Sequence, residues 1–241
     1  MEEEMLYMIG VVIYTVIGRM AHEMSENKQI FVLIFGAMMF YLISRKSERR
    51  VFASVDVFFD QSKLLTILLV LVISWPLWFN VAIVLMTYGS GDVSLSSMFR
   101  FIASALYPGM GEEVVARLSV MVMVLHKVAR YQCSKWWLFA LGSVPFGMCH
   151  FINLGHEQFN VVIQQVVYAT VLGMVFMVIY LMTQTIWMVA IMHTLIDLRL
   201  DEAKLEVVHW LDVALVFVPI VVVSVMIMQR LEFGVKNNPS I

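Results

Sequence analysis

At residues 111–117 the chain reads Gly-Glu-Glu-Val-Val-Ala-Arg, at the head of an apolar run that continues through Leu125. The 241 residues are 61% hydrophobic and have a mean hydropathy of +0.85, which predicts that this run lies in a bilayer. An ionisable side chain near the centre of a membrane helix costs about 2.5–3.5 kcal/mol on insertion scales. The sequence places Glu112, Glu113 and Arg117 within six residues, and such a group predicts a functional site.

The composition is typical of a polytopic membrane protein. Only 14% of the residues are charged, against about 25% in soluble domains. The formal net charge is −2 and no basic stripe is present, so the chain is not expected to bind nucleic acid. Two cysteines form no disulfide framework. The acidic N-terminal residues argue against a cleavable signal, so the first span is expected to remain as an anchor.

Apolar stretches near 20 residues predict about eight transmembrane helices in an all-α fold. We expect one membrane domain over 1–241, with N-terminal spans in 5–88, a catalytic core at about 98–200 and the last span at 207–228. The predicted spans are 6–21, 30–43, 64–88, 111–128, 136–152, 161–182, 186–198 and 207–228. Three further segments are interpreted as a charged loop (45–50), an amphipathic piece (51–63) and a short or re-entrant helix that ends at Pro108-Gly109 (98–107).

Lysine and arginine in the loops predict the orientation of these spans. Four lie in 45–50, three in 127–135 and two in the C-terminal tail, all on one side of the eight-span arrangement. Both termini are therefore expected in the cytoplasm.

Three polar clusters fall at span ends in the same leaflet, whichever side is cytoplasmic. The clusters are Glu112, Glu113 and Arg117; Phe146, His150 and Asn153; and His193 and Asp197. A carboxylate, two histidines and a second acid are the groups needed to activate water. Together they predict hydrolytic chemistry at one depth of the membrane.

Spacing within the clusters predicts specific pairs. Glu113 and Arg117 are four residues apart, on one face of a helix, so Arg117 can neutralise Glu113. Glu112 points about 100° away and can face another partner. Phe146 lies one turn before His150, so its ring can pack against the imidazole. The two members of the third cluster are also four residues apart.

Each cluster taken alone also has a structural interpretation. A Glu–Arg pair can hold membrane helices together, since buried charges must be paired in any case. A histidine at a span end can be a hydrogen-bonded interfacial residue, and an acid four residues later can mark the water interface. The hypothesis of chemistry therefore depends on the three clusters together.

Three motifs occur in order on separate spans: Glu112-Glu113-x-x-x-Arg117, Phe146-x-x-x-His150 and His193-x-x-x-Asp197. The set resembles the CPBP family, the CAAX proteases and bacteriocin-processing enzymes, also called the Abi family. The resemblance implies an eight-helix intramembrane protease with a polar cavity. Members of the family remove the last three residues from prenylated CAAX proteins, or in bacteria take part in peptide maturation, bacteriocin self-immunity and surface-protein pathways.

The resemblance also implies roles for the motif residues. Glu112 would be the base that activates water, with His150 beside it. Glu113 and Arg117 would support that arrangement. His193 and the residue at position 197 would stabilise the oxyanion.

Position 197 departs from the prenyl-protease pattern, which usually has asparagine there. An anionic Asp197 would repel an oxyanion. It must therefore be protonated, or else orient and charge His193 as the acid of a triad does.

No cofactor is expected, and zinc is the alternative. The acceptable zinc ligands are Glu112, His150, His193 and Asp197. The sequence has no HExxH motif, and resemblance to the prenyl-protease arm favours a metal-free, glutamate-based mechanism.

The leading hypothesis is an intramembrane endopeptidase of a bacterial cytoplasmic membrane, acting on a membrane-bound peptide or lipidated protein. The substrate would be CAAX-type, or a bacteriocin or pheromone precursor. The alternatives are a non-catalytic membrane protein for bacteriocin immunity or surface-protein display, whose polar clusters form a structural network, and a small proton-coupled transporter. The loop charges place the site toward the outer leaflet, whereas prenyl proteases act on cytosolic substrates. This conflict indicates either an exported substrate or a span count that is off by one near 98–107.

Overall fold

The computed structural model describes residues 26–59, 95–198 and 208–235, together with Ser74, Ala82 and Met86. The predicted span at 6–21 lies outside these residues, as does nearly all of the span at 64–88. The chain divides into two compact units. Among the described residues, the first unit contains 26–50, Ala82, Met86, 95–118 and 185–198. The second contains 51–59, Ser74, 119–184 and 208–235.

Helices make up most of the described chain. They are α1 (Glu26–Ser54), α2 (Leu95–Glu113), α3 (His126–Tyr131), α4 (Trp136–Cys149), α5 (Phe159–Thr183), α6 (Ile186–Asp197) and α7 (Trp210–Arg230). Two π-helical segments, Val114–Leu118 and Met121–Leu125, lie between α2 and α3, and a 3-10 segment, His150–Gly155, follows α4. This mostly helical structure is consistent with an all-α membrane protein.

Three of the described helical segments are long and apolar enough to cross a membrane: Trp136–Gly155, Phe159–Thr183 and Trp210–Arg230. Their bounds lie within a few residues of the spans predicted at 136–152, 161–182 and 207–228. α6 is also apolar but has only 12 residues. At 1.5 Å per residue it is about 18 Å long, well short of a hydrocarbon core of about 30 Å.

The boundary predicted at Pro108-Gly109 is wrong. α2 runs through Pro108 to Glu113, and the chain stays helical from 95 to 131. A proline inside a helix removes one hydrogen bond and favours a kink, yet α2 continues past Pro108, where it packs against α6. Residues 98–107 are therefore not a separate short helix, and Glu112 and Glu113 lie inside a helical run rather than at its start.

The charged segment at 45–50 is also not a loop, because it forms part of α1. The piece predicted at 51–63 is divided as well. α1 ends at Ser54 and a strand, β1, follows at Val55–Phe59. The strand suits its β-branched and aromatic residues.

β1 pairs with a second strand, β2 (Leu231–Val235), which the sequence did not predict. The two strands are antiparallel, with Val55 opposite Val235 and Phe59 opposite Leu231. Beside this ribbon the Lys135 ammonium donates to the carbonyls of Gln229 and Leu231, at 2.6 and 2.7 Å. These bonds satisfy carbonyls at the end of α7. Partial burial lowers the pKa of Lys135, and the carboxylate of Glu232 opposes that shift.

Close backbone contact joins α4 and α5 in the second unit. A Cβ added at Gly173 would lie 2.8 Å from the Cα of Ser143, and one added at Gly147 would lie 2.7 Å from the carbonyl oxygen of Val166. Small residues that allow such an approach are typical of helix contacts in membranes. This contact fixes α4, and with it the 3-10 segment that begins at His150.

Candidate active site

In the first unit, α2 and α6 cross at a glycine. A Cβ added at Gly109 would lie 2.7 Å from the Oγ1 of Thr194 and 2.9 Å from its backbone nitrogen. Only glycine therefore fits at this point without a shift. Gly109 lies one turn before Glu113, and Thr194 directly follows His193, so the close approach brings the glutamate and the histidine together.

Glu113 is buried at the centre of a charged cluster. Its Oε1 is 3.0 Å from an Arg117 guanidinium nitrogen, and both side chains are fully buried. The ion pair that the spacing predicts is therefore present. The same Oε1 is 2.8 Å from the Nδ1 of His193. Because a carboxylate oxygen accepts, this contact assigns a proton to Nδ1.

The other ring nitrogen of His193 faces two more carboxylates. Its Nε2 is 3.4 Å from the Oδ2 of Asp197 and 3.8 Å from the Oε2 of Glu112. The Glu112 side chain is 45% exposed and that of Asp197 is 32% exposed, against 8% for His193. The cluster therefore has a buried layer, Glu113 with Arg117, and an accessible layer, Glu112 with Asp197, with the imidazole between them.

The sequence predicts that Glu112 faces away from Glu113 and toward a different partner, and the structure agrees with the first point only. Its exposure places it on a different face of the helix from the buried Glu113–Arg117 pair. Both glutamates nevertheless approach the same histidine, one at each ring nitrogen. His193 is thus the residue through which the two acids are linked.

His150 lies in the second unit, at the start of the 3-10 segment. Its Nδ1 is 3.1 Å from the carbonyl oxygen of Phe146, so Nδ1 donates and Nε2 remains the acceptor nitrogen. The two rings are 5.5 Å apart between centroids, at 76°. The predicted contact with Phe146 is present, as an edge-to-face pair. Asn153 donates from Nδ2 to the Oε1 of Gln165 at 2.8 Å, which ties the 3-10 segment to α5.

The structure brings five of the eight predicted site residues together: Glu112, Glu113, Arg117, His193 and Asp197. The other three, Phe146, His150 and Asn153, lie in the second unit. The pairing of His150 with Glu112 stays a prediction.

The candidate zinc ligands are likewise divided between the units, with His150 in the second. Within the described ranges, no three His, Cys, Asp or Glu side chains form a set that could hold a metal ion. The zinc alternative therefore stays a prediction, as does the metal-free mechanism.

Sequence reasoning missed the two residues at the crossing of α2 with α6, and one residue that contacts the start of α6. Gly109 was interpreted as a helix end because it follows Pro108, and Thr194 carries no signal of its own. Glu48 was assigned to a charged loop, yet it is only 5% exposed and accepts a hydrogen bond from the backbone of Ile186. An acid among basic neighbours was the only signal for Glu48.

Comparison with known proteins points to the same region. Residues 94–199 match the Rce1-like family, described as type II CAAX prenyl endopeptidases. The matched region contains all three motifs and confirms the resemblance to the CAAX proteases. It includes α2 through α6 and leaves out α1, the strands and α7. No curated protein and no solved structure matches the chain.

Proposed function

We propose that the chain is an intramembrane endopeptidase that hydrolyses a peptide bond in a membrane-associated substrate, with a prenylated CAAX-type peptide as the first candidate. The observation that carries this proposal is a histidine with a carboxylate at each ring nitrogen, inside a region that matches prenyl endopeptidases. The apolar helices provide a membrane setting for such a substrate.

Glu112 would be the general base. It is the most exposed carboxylate of the cluster, so water and substrate can reach it. It would take a proton from water as the hydroxyl adds to the carbonyl carbon, and return that proton to the leaving amine. The resemblance to the CAAX proteases also gives His150 a part in activating this water.

His193 would stabilise the oxyanion. For Nε2 to donate to an oxyanion while Nδ1 donates to Glu113, both ring nitrogens must carry protons. Glu113 and Asp197 are placed to accept from those two nitrogens before substrate binds. Asp197 would then hold the imidazolium and release Nε2 to the tetrahedral intermediate.

Arg117 and Glu113, in the buried layer of the cluster, would hold His193 in position. The ion pair keeps a buried carboxylate charged, and that carboxylate fixes the orientation of the His193 ring. We propose that this chemistry needs no metal, since Glu112 supplies the base and His193 the oxyanion donor; zinc is the alternative.

The experiment uses a fluorescence-quenched peptide that ends in a farnesylated cysteine and three further residues. The same peptide without the farnesyl group is tested in parallel as the control substrate. Purified protein in liposomes should release the terminal tripeptide from the farnesylated form, as identified by mass spectrometry. Glu112→Gln should lose at least about 100-fold in rate, because general base catalysis supplies about 10²–10⁴. The exposed acid Asp212 provides the matched control, and Asp212→Asn should cleave like wild type. Intact peptide in every sample would favour the non-catalytic alternative.

A further inference from the structure

We propose that Glu48, on α1 and outside the family-matched region, is a positioning residue that holds the first turn of α6 and thereby orients His193. The Glu48 side chain is buried and accepts a hydrogen bond from the backbone nitrogen of Ile186, the first residue of α6. The catalytic consequence rests on the proposed function, whereas the positioning itself does not.

The start of α6 needs such a partner. The first N–H groups of a helix have no acceptor within the helix, and Ile186 is fully buried. An unsatisfied buried N–H costs about 1–3 kcal/mol. A carboxylate also interacts favourably with the positive end of the helix dipole. Glu48 therefore stabilises α6 at its buried first residue.

A second contact joins α1 to the same turn. Tyr41 lies seven residues before Glu48, two turns away on the same face of α1. Its ring centroid is 4.8 Å from that of Trp187, the second residue of α6. Two contacts from one helix face fix both the position of the first turn and its rotation about the axis.

The position of His193 depends on the position of this first turn of α6. It lies seven residues after Ile186, on the same face and about 10 Å along the axis. Its ring needs an accurate position, because the Nδ1 contact with Glu113 is 2.8 Å and hydrogen bonds weaken quickly with distance and angle. A shift at the start of a short rigid helix reaches the ring directly.

The first test does not depend on cleavage. Protein labelled with 15N-histidine in detergent micelles should show a ring N–H resonance for His193, assigned by its absence in His193→Gln. Glu48→Ala should shift or lose this resonance. Glu48→Gln, whose amide oxygen can still accept from Ile186, should retain it. Arg49→Ala, which changes an exposed neighbour on α1, is the control and should also retain it.

The second test is kinetic, on the farnesylated peptide. Glu48→Ala should lower kcat by about 10- to 100-fold, since small misplacements have effects of that size. It should leave KM nearly unchanged, because Glu48 is buried at the start of α6, away from the exposed side of the cluster. An unchanged His193 resonance in folded Glu48→Ala would overturn the positioning role, as would an equal loss in Arg49→Ala. If wild type cleaves no peptide while the resonance responds as expected, the positioning role stands and the proposed function fails.

Discussion

Replacing Arg117 tests the buried ion pair directly. Arg117→Met keeps a long side chain in place but removes the charge, so that Glu113 loses the guanidinium 3.0 Å from its Oε1. Breaking a buried pair from one side costs about 3–5 kcal/mol. We expect the lower end, about 3 kcal/mol, because His193 still donates to the same oxygen.

A loss of about 3 kcal/mol corresponds to a drop of about 6–12 °C in Tm for a chain of this size. Thermal unfolding in detergent, followed by tryptophan fluorescence, measures it. Arg130→Met is the matched control, since Arg130 is exposed, and it should change stability by less than about 0.5 kcal/mol.

A double-mutant cycle separates the energy of the ion pair from the packing cost of the smaller methionine side chain. Glu113→Gln in the Arg117→Met background removes the uncompensated charge, so about 2 kcal/mol of coupling should appear. The pairing is refuted if Arg117→Met melts with wild type, or if the double variant loses the sum of the two single losses.

Three further changes probe the same framework. Gly109→Ala should destabilise the protein by about 1–3 kcal/mol and reduce cleavage, because the new methyl group overpacks the crossing of α2 with α6. Gly155→Ala is the control, since Gly155 has open space around it, and it should change neither stability nor cleavage. Equal effects of the two substitutions would contradict the close approach at Gly109. Lys135→Met should cost about 2 kcal/mol in thermal unfolding, through loss of hydrogen bonds from a charged donor, while Lys127→Met at an exposed site should be neutral. Asp197→Asn should lower kcat/KM by about tenfold or more, because an amide oxygen can accept from Nε2 but carries no charge to stabilise the imidazolium; full activity would show that the negative charge is not required.

Local patterns were sufficient for three of the apolar helices and for the ion pair. The spans near 136–152, 161–182 and 207–228 are bounded by polar residues, and length alone identifies them. The Glu113–Arg117 pair follows from helical geometry, which holds although a π-helical segment begins at Val114. Contacts that arise within one helix could therefore be predicted.

Contacts between segments that are distant in the sequence could not be predicted. Pro108 and Gly109 resemble a helix end, and only the packing of α6 shows that the glycine serves close approach. Glu48 has no local sign of burial because its partner, Ile186, is 138 residues away. The pairing of Val55 with Val235 is likewise long-range. In each case tertiary packing overrides local preference.

The role of Glu112 is tested most directly by cleavage of the farnesylated peptide by wild type, Glu112→Gln and Asp212→Asn, each with and without a strong zinc chelator. Wild type and Asp212→Asn should cleave equally and be insensitive to the chelator, while Glu112→Gln loses at least about 100-fold. Full activity in Glu112→Gln would contradict the assignment of Glu112 as the base, and loss of wild-type activity with the chelator would replace the metal-free mechanism by a zinc-dependent one.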